Sequence, residues 1–392
     1  MSNKHATLSA LFTDIADAIR EVMDETDTII ADNFPDYIRQ MTHVQPGVLL
    51  PRNTWYKGTT NKNSLTYVKF VDTYTPTGSE AESWDASVAQ DGSVKCYITG
   101  TALTIAGNGA GRIKANPSSG SAFRFGAATA IDGLSILDTR DVTSMDYMFA
   151  DCNAITTLDL STFNTSKVET LDSTFSFCGK LVSINLNGWD TSNVTRMHQM
   201  FQYCTSLASL NLGDFNTSKV GTMDYMFMSC KSLTELDLSN FDTSAVTTMR
   251  GMFNSCTKLS AIDLSSFNTP KLTDIVTMFS GCTLLTTVNL GNLNTSNVTQ
   301  MIGVFSSCPG LTSIDLSKWD TSKVTNMTNM FADCTNVVTI YASNKWSTEA
   351  CDQSTQMFLR CIKLKGDISY NASYTDKTYA KTSGGYLTYK AD

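Results

Sequence analysis

The sequence is poor in charge, histidine and long apolar runs, and each shortage closes off a class of function. Only 17% of its 392 residues are charged, well under the quarter usual in globular chains. Those charges sum to −8 without a basic run, so the chain has little with which to displace counterions from nucleic-acid phosphates. The three histidines, His5, His43 and His198, lie far apart, which gives a histidine-based metal site or proton relay nothing to build on. No stretch approaches the ~20 apolar residues of a membrane helix. Residues 8–12 are too short for a secretory h-region, and Asp14 and Asp17 break the apolar run beyond them, so a product made in a cytoplasm without membrane insertion is expected. Catalytic signatures are missing as well: there is no Gly-x-Ser-x-Gly, His-Glu-x-x-His or Walker loop. The glycine-rich stretch from Gly107 to Arg112 reads as a turn. No enzyme, metal or cofactor is expected. Disorder is excluded too, because 42% of residues are hydrophobic.

What the chain does have is a period. Cys152, Cys178, Cys204, Cys230, Cys256, Cys282, Cys308 and Cys334 succeed one another at 26 residues without a slip. A fixed period of this length means stacked repeats. The apolar positions keep step, as in Leu158, Ile184, Leu210, Leu236, Ile262, Val288 and Ile314. Within the unit starting at Leu311, Ile314 and Leu316 alternate with Asp315 as a short strand does. Asp320-Thr321-Ser322 marks a turn, and Val324, Met327, Met330 and Phe331 then recur at three- and four-residue intervals, which predicts one or two helical turns. A strand and a short helix per 26 residues give an α/β solenoid of the leucine-rich-repeat class, in which each coil buries its faces against its neighbours. The cysteines offer no Cys-x-x-Cys pair for metal and no preferred partner for a disulfide, and are expected as buried, reduced thiols. A Cys230→Ser exchange is expected to cost about 1 to 3 kcal/mol through an unsatisfied buried hydroxyl.

The segments LDLSNFDTSAVTTMRGMFNSC (236–256) and INLNGWDTSNVTRMHQMFQYC (184–204) resemble the BspA-like leucine-rich repeats of bacterial surface proteins. The resemblance reaches upstream to Trp84-Asp85-Ala86-Ser87, Asp91-Gly92-Ser93-Val94 and residues 113–117, which are similar to N-terminal caps of such arrays, and downstream to residues 384–388. Pro270, Leu293 and Val304 depart from the pattern at a turn Ser, an aromatic and a Met. The resemblance implies the fold, together with adhesion or another surface role.

The N-terminus is a different object. Leu8, Leu11, Phe12, Ile15, Ile19 and Val22 form a stripe at helical spacing, and Pro35 suits the first turn of a second helix. The run from Leu8 to Met41 resembles the opening segment of structural proteins in phages of Gram-positive hosts, with Asp24-Glu25-Thr26-Asp27 where a Lys-Thr-Gly turn is usual. The organisation expected is therefore an attachment and oligomerisation segment (1–43), a linker with the first strand (44–75), an N-terminal cap (76–140), the repeats (141–364) and a C-terminal cap (365–392). The function expected is a non-enzymatic phage virion protein of the tail or baseplate. Its N-terminal segment would join other virion proteins, as a homo-oligomer, while the repeats touch a host glycan or protein. The alternative is a BspA-like adhesin at a bacterial cell surface.

The candidate binding surface is the outward row of the strands, Asp159, Asn185, Asn211, Asp237, Asp263, Asn289 and Asp315, placed on the concave side of the array. Interleaved asparagines relieve the repulsion that stacked carboxylates would suffer. Two readings stand: a solvated sheet face, or a polar platform for a ligand. Calcium between neighbours such as Asp237 and Asp263 would lack any recognised calcium loop.

Overall fold

The computed structural model describes residues 45–392. The expected N-terminal stripe, Leu8 to Val22, lies outside the described residues. The first described part is a five-stranded sheet in the order β2-β3-β4-β1-β6, made of β1 (Tyr67–Val71), β2 (Glu82–Asp85), β3 (Lys95–Thr99), β4 (Ala102–Ala106) and β6 (Ala130–Asp132). β1 runs parallel to β4 and β6, while β3 is antiparallel to β2 and β4. Between them β5 (Ile113–Lys114) pairs with β7 (Leu137–Asp138). Within the stretch expected as linker and first strand, β1 is that strand, and the described residues ahead of it are packed into the cap. β1 sits inside the sheet, Val48 bridges to Lys114 and Leu49 to Ser87, and Trp55 is fully buried.

The repeats come next as coils stacked in parallel, each with three parts. One part is a short strand: β8 (Thr157–Asp159), β9 (Ser183–Asn185), β10 (Ala261–Asp263), β11 (Thr287–Asn289), β12 (Ser313–Leu316) and β13 (Thr339–Ala342). β14 (Leu387–Tyr389) closes the stack against β13. The second part is the Asp/Asn-Thr-Ser corner. Its threonine is buried and joins coil to coil, since the Thr191 hydroxyl donates to the Asn216 carbonyl at 3.0 Å and Thr217 to Asp242 at 2.9 Å.

The third part corrects the helical expectation. Among the described residues no α-helix occurs, only short 3-10 turns such as Arg52–Trp55. The Val, Met, Met, Phe stripe lies on a flat ribbon of turns. Met148 N–H bonds Met145 O and Ala150 N–H bonds Tyr147 O within the coil. The N–H groups of Met145, Tyr147, Phe149 and Asp151 instead bond the carbonyls of Thr170, Asp172, Thr174 and Ser176 in the next coil, at 2.8–3.1 Å. Left-handed residues make this possible: Tyr147 has φ 56° and Asp151 φ 60°, and each reverses the advance of the turn before it. A helix would spend those N–H groups on its own carbonyls. Apolar spacing alone does not separate the two conformations, because both bury Val142, Met145, Met148 and Phe149.

The ribbon ladder runs without a break from Ser118 through Ser144, Thr170, Arg196, Thr222, Thr248, Asp274, Gln300 and Asn326 to Gln353. It therefore begins well before residue 141. Beneath it the phenylalanines from Phe149 to Phe358 stack with centroids 5.3–6.0 Å apart and planes within 15°. All eleven cysteines are buried and free of disulfides. Each ladder thiol faces a carbonyl of the preceding coil, as Cys230 Sγ faces Phe201 O at 3.2 Å.

Candidate functional site

The seven residues of the predicted row do fall in one line, and they share a local role that composition did not suggest. In each, Oδ1 accepts the backbone N–H two residues on: Ser161 for Asp159, Asn187 for Asn185, Gly213 for Asn211, Ser239 for Asp237, Ser265 for Asp263, Gly291 for Asn289 and Ser317 for Asp315. Asp and Asn alternate freely because either supplies that oxygen. These bonds hold the carboxyls below the usual range: the Ser161 hydroxyl and amide act on Asp159, the Ser239 amide on Asp237 and the Ser265 amide on Asp263. At Asp315 burial pushes upward but is outweighed by Lys390 and Ser317.

The row is not a continuous sheet. β8 pairs with β9, β10 with β11, and β12 with β13. Between β9 and β10 two coils contribute no strand, and the backbone N–H groups at 208–212 and 234–238 have no acceptor among the described residues. An open groove of about 1040 Å³ lies over the outward side of these two coils and continues across β10 to β11, with Leu210 and Leu236 half-buried in its lining and Glu235, Asp237 and Asp263 along it. Smaller grooves mark the other two interruptions, about 300 Å³ between β6 and β8 and about 380 Å³ between β11 and β12.

Charge accounts for part of this. Asp237 and Asp263 are the one pair of neighbouring aspartates in the row, and like charges directly opposite disfavour pairing. In the paired β8–β9 the Asn185 side-chain amide donates to Asp159 Oδ1 at 3.0 Å. The opening between Asn185 and Asn211 has no such cause in the structure.

Opening has a cost that one side chain records. The indole N–H of Trp189 donates to Leu160 O at 3.0 Å across a paired step. Trp319 occupies the same place beside the β11–β12 groove, and its buried indole N–H has no partner among the described residues.

Two further features went unread in the sequence. Tyr147, Phe177, Tyr203 and Tyr225 stand on the ribbon at left-handed positions, φ 55–61°, where later coils carry Gly251, Ser255, Gly281 or Asn329. Phe177 and Tyr203 stack at 4.7 Å. A Cβ on Gly251 would lie 2.5 Å from the Tyr225 ring, so that glycine makes the ring's bed. An aromatic where other coils have small residues was the available signal, and it needs the left-handed backbone to be seen. The second feature is Lys62, at a recess of about 640 Å³ shared with Arg124 and Asp151. Its ammonium donates to Ala122 O at 2.9 Å and lies 4.7 Å from the Phe125 centroid, and burial pushes its pKa down to about 7.

This is a repeat protein built from stacked leucine-rich-repeat-like coils, with a β cap at one end and a closing strand at the other. Residues 121–206, 174–286 and 258–372 match the family described as "Mycoplasma protein of unknown function, DUF285". The chain belongs to that family. Among solved structures it is similar to a leucine-rich repeat protein from Bacteroides ovatus, at 17% identity over 71% of this chain and 83% of that one, with a TM-score of 0.30. No curated protein matches the sequence.

Proposed function

We propose that the chain is a non-enzymatic binding protein whose repeats present the strand side to a partner. The observation that carries this is the opened strand side: a groove of about 1040 Å³ beside an exposed row of carboxylates and amides, on a stack already pinned along its ribbon. A surface that served only to hold the coils together would gain by closing.

The setting rests on residues 1–43. Their apolar stripe and their likeness to phage structural proteins support a virion component of the tail or baseplate, attached through Leu8, Leu11, Phe12, Ile15, Ile19 and Val22, with the repeats toward a host glycan or protein. A bacterial surface adhesin is the second reading, and the description of the family by a bacterial source favours it. One experiment separates them. In the full chain, Leu11→Asp with Ile15→Asp should abolish incorporation into purified particles while leaving the thermal transition of the repeats unchanged. Normal incorporation of this variant defeats the virion attachment, and binding of the unchanged protein to host cells tests the surface role independently.

A further inference from the structure

We infer that the cleft between β11 and β12 binds a single neutral sugar ring, held by the indole N–H of Trp319. The inference rests on the reading of the strand side as the binding side, and it names a place and a ligand class there.

The closed steps show what this cleft has to offer. Across β8–β9 the Leu160 N–H reaches Asn185 O at 3.0 Å, and Leu160 O accepts two donors, the Phe163 N–H and the Trp189 indole. Across β10–β11 the Leu264 N–H likewise reaches Asn289 O at 2.8 Å. One step further on, these bonds are not made among the described residues. The Leu290 N–H has no acceptor, and Leu290 O takes only the Leu293 N–H. The indole N–H of Trp319, a side chain 1% exposed, has no partner. Leu290, Asp315 and Trp319 all line the cleft, whose volume is about 380 Å³. A buried donor without an acceptor is costly, and a ligand oxygen set against it removes that cost. The linings of the other two interruptions contain no unpartnered buried side-chain donor among the described residues.

The remaining groups define the ligand. The charges at the cleft are already matched within the chain: Asp315 is bonded to Lys390 and to the Ser317 N–H and hydroxyl, and Lys318 reaches Asn292 Oδ1 at 3.1 Å. A charged ligand would have to displace these partners. What is left is neutral and mixed, two N–H donors and a carbonyl. A hydroxyl both donates and accepts, so neighbouring hydroxyls of a sugar meet such a set, while Val288 and Leu290 offer apolar wall to its C–H face. The volume lies near the small end for ligand sites, which suits one ring rather than a chain.

The test follows the indole resonances of the full chain, one for each of its five tryptophans, by heteronuclear NMR. The probes are the methyl glycosides of glucose, galactose, mannose and N-acetylglucosamine, and Trp319→Phe assigns the resonance. At least one glycoside should move the Trp319 indole N–H downfield and leave Trp189, already bonded to Leu160 O, in place. By saturation transfer to the sugar, Trp319→Phe should weaken binding about tenfold, as expected for one buried hydrogen bond, and Trp189→Phe should not. Both variants should fold, because Phe163, Phe215, Phe241 and Phe267 fill the equivalent place in other coils. N-acetylglycinamide, a neutral amide, and acetate, an anion, should leave the Trp319 resonance where it is.

Four results overturn the inference. One is no response of Trp319 to any of the glycosides. Another is a Trp319 resonance in the free protein already as far downfield as that of Trp189, which means the step is closed. The third is undiminished sugar binding by Trp319→Phe. The fourth is a stronger response to the amide or to acetate, which means another ligand class. Host-cell binding that is equal for the unchanged protein and Trp319→Phe also defeats the sugar cleft, while leaving the surface reading in place.

Discussion

The ribbon side and the strand side of the same coils solve the stacking problem differently. On the ribbon every coil gives its neighbour several backbone hydrogen bonds, a phenylalanine to stack on and a thiol against a carbonyl. On the strand side pairing covers only three or four residues and lapses at three places. The difference teaches where the stability of the array resides. Leucine-rich repeats are named for their strand residues, yet here the Met/Phe/Cys ribbon is the continuous element and the strand is the part free to vary. A side that does not have to hold the stack is available to bind.

High pH should break the ribbon side most completely. Burial pushes the thiols of Cys204, Cys256, Cys308 and Cys361 up to about 12, against an ordinary 9.0. Above pH 9 the unfolded chain releases these protons and the folded chain does not. Their contribution is therefore complete below pH 9 and is lost as pH rises toward 12, at about 1.4 kcal/mol per pH unit for each thiol. Lys62 acts in the opposite sense. Its lowered pKa makes the unfolded state the better proton binder between about 7 and 10.5, so stability rises with pH in that window. From pH 7 to 9 Lys62 acts alone and urea midpoints should rise modestly; above pH 9 one lysine stands against four thiols, and the midpoints should fall steeply. Alkylation of the native protein at pH 8 should spare the ladder cysteines, and unfolding should expose them.

A single truncation in the phenylalanine stack comes next. Phe227 is fully buried between Phe201 and Phe253, at 6.0 and 5.9 Å. Phe227→Ala should cost about 3 to 5 kcal/mol, the range for emptying an aromatic site in a core. Leu236→Ala, on the opened strand side and only partly buried, should cost clearly less in the same urea titration. Equal losses would show that the two sides carry equal weight.

A smaller effect corrects an expectation from sequence. Cys230→Ser was expected to strand a hydroxyl, but Phe201 O stands 3.2 Å from Sγ and can accept it. Ser and Ala at this position should therefore both cost about 1 kcal/mol, with Ser no worse than Ala. A Ser penalty above about 3 kcal/mol would mean the carbonyl is out of reach.

The period, the buried cysteines and the line of Asp159 to Asp315 were all legible, because repetition multiplies a weak signal until each position identifies itself. The ribbon was not. Val324, Met327, Met330 and Phe331 are inward in either conformation, and what distinguishes a turn ribbon from a helix is a left-handed residue such as Asn329, φ 57°, whose type varies from coil to coil. The interruptions of the strand row were also hidden. Asp237 beside Asp263 could be seen as an unfavourable neighbour pair, but the lapse begins earlier, at Asn211, where the side chains are neutral. The Asp/Asn-Thr-Ser corner was recognised as a turn, while its threonine's reach into the next coil required coordinates.

The finest test of the comparison uses two tryptophans in equivalent positions. Trp189 sits across a paired step and its indole N–H reaches Leu160 O at 3.0 Å; Trp319 sits across an open one and its N–H reaches nothing among the described residues. Other coils place Phe163, Phe215, Phe241 and Phe267 there, all buried, so phenylalanine fits the site. Both exchanges remove similar apolar area, and this term cancels in the difference. Trp189→Phe also removes a hydrogen bond, whereas Trp319→Phe removes a buried donor that already lacks an acceptor. The first should therefore be the costlier, by about 1 kcal/mol, in urea unfolding of the two full-length variants. If the order reverses, Trp319 has a partner in solution, and the step between β11 and β12 is closed rather than open.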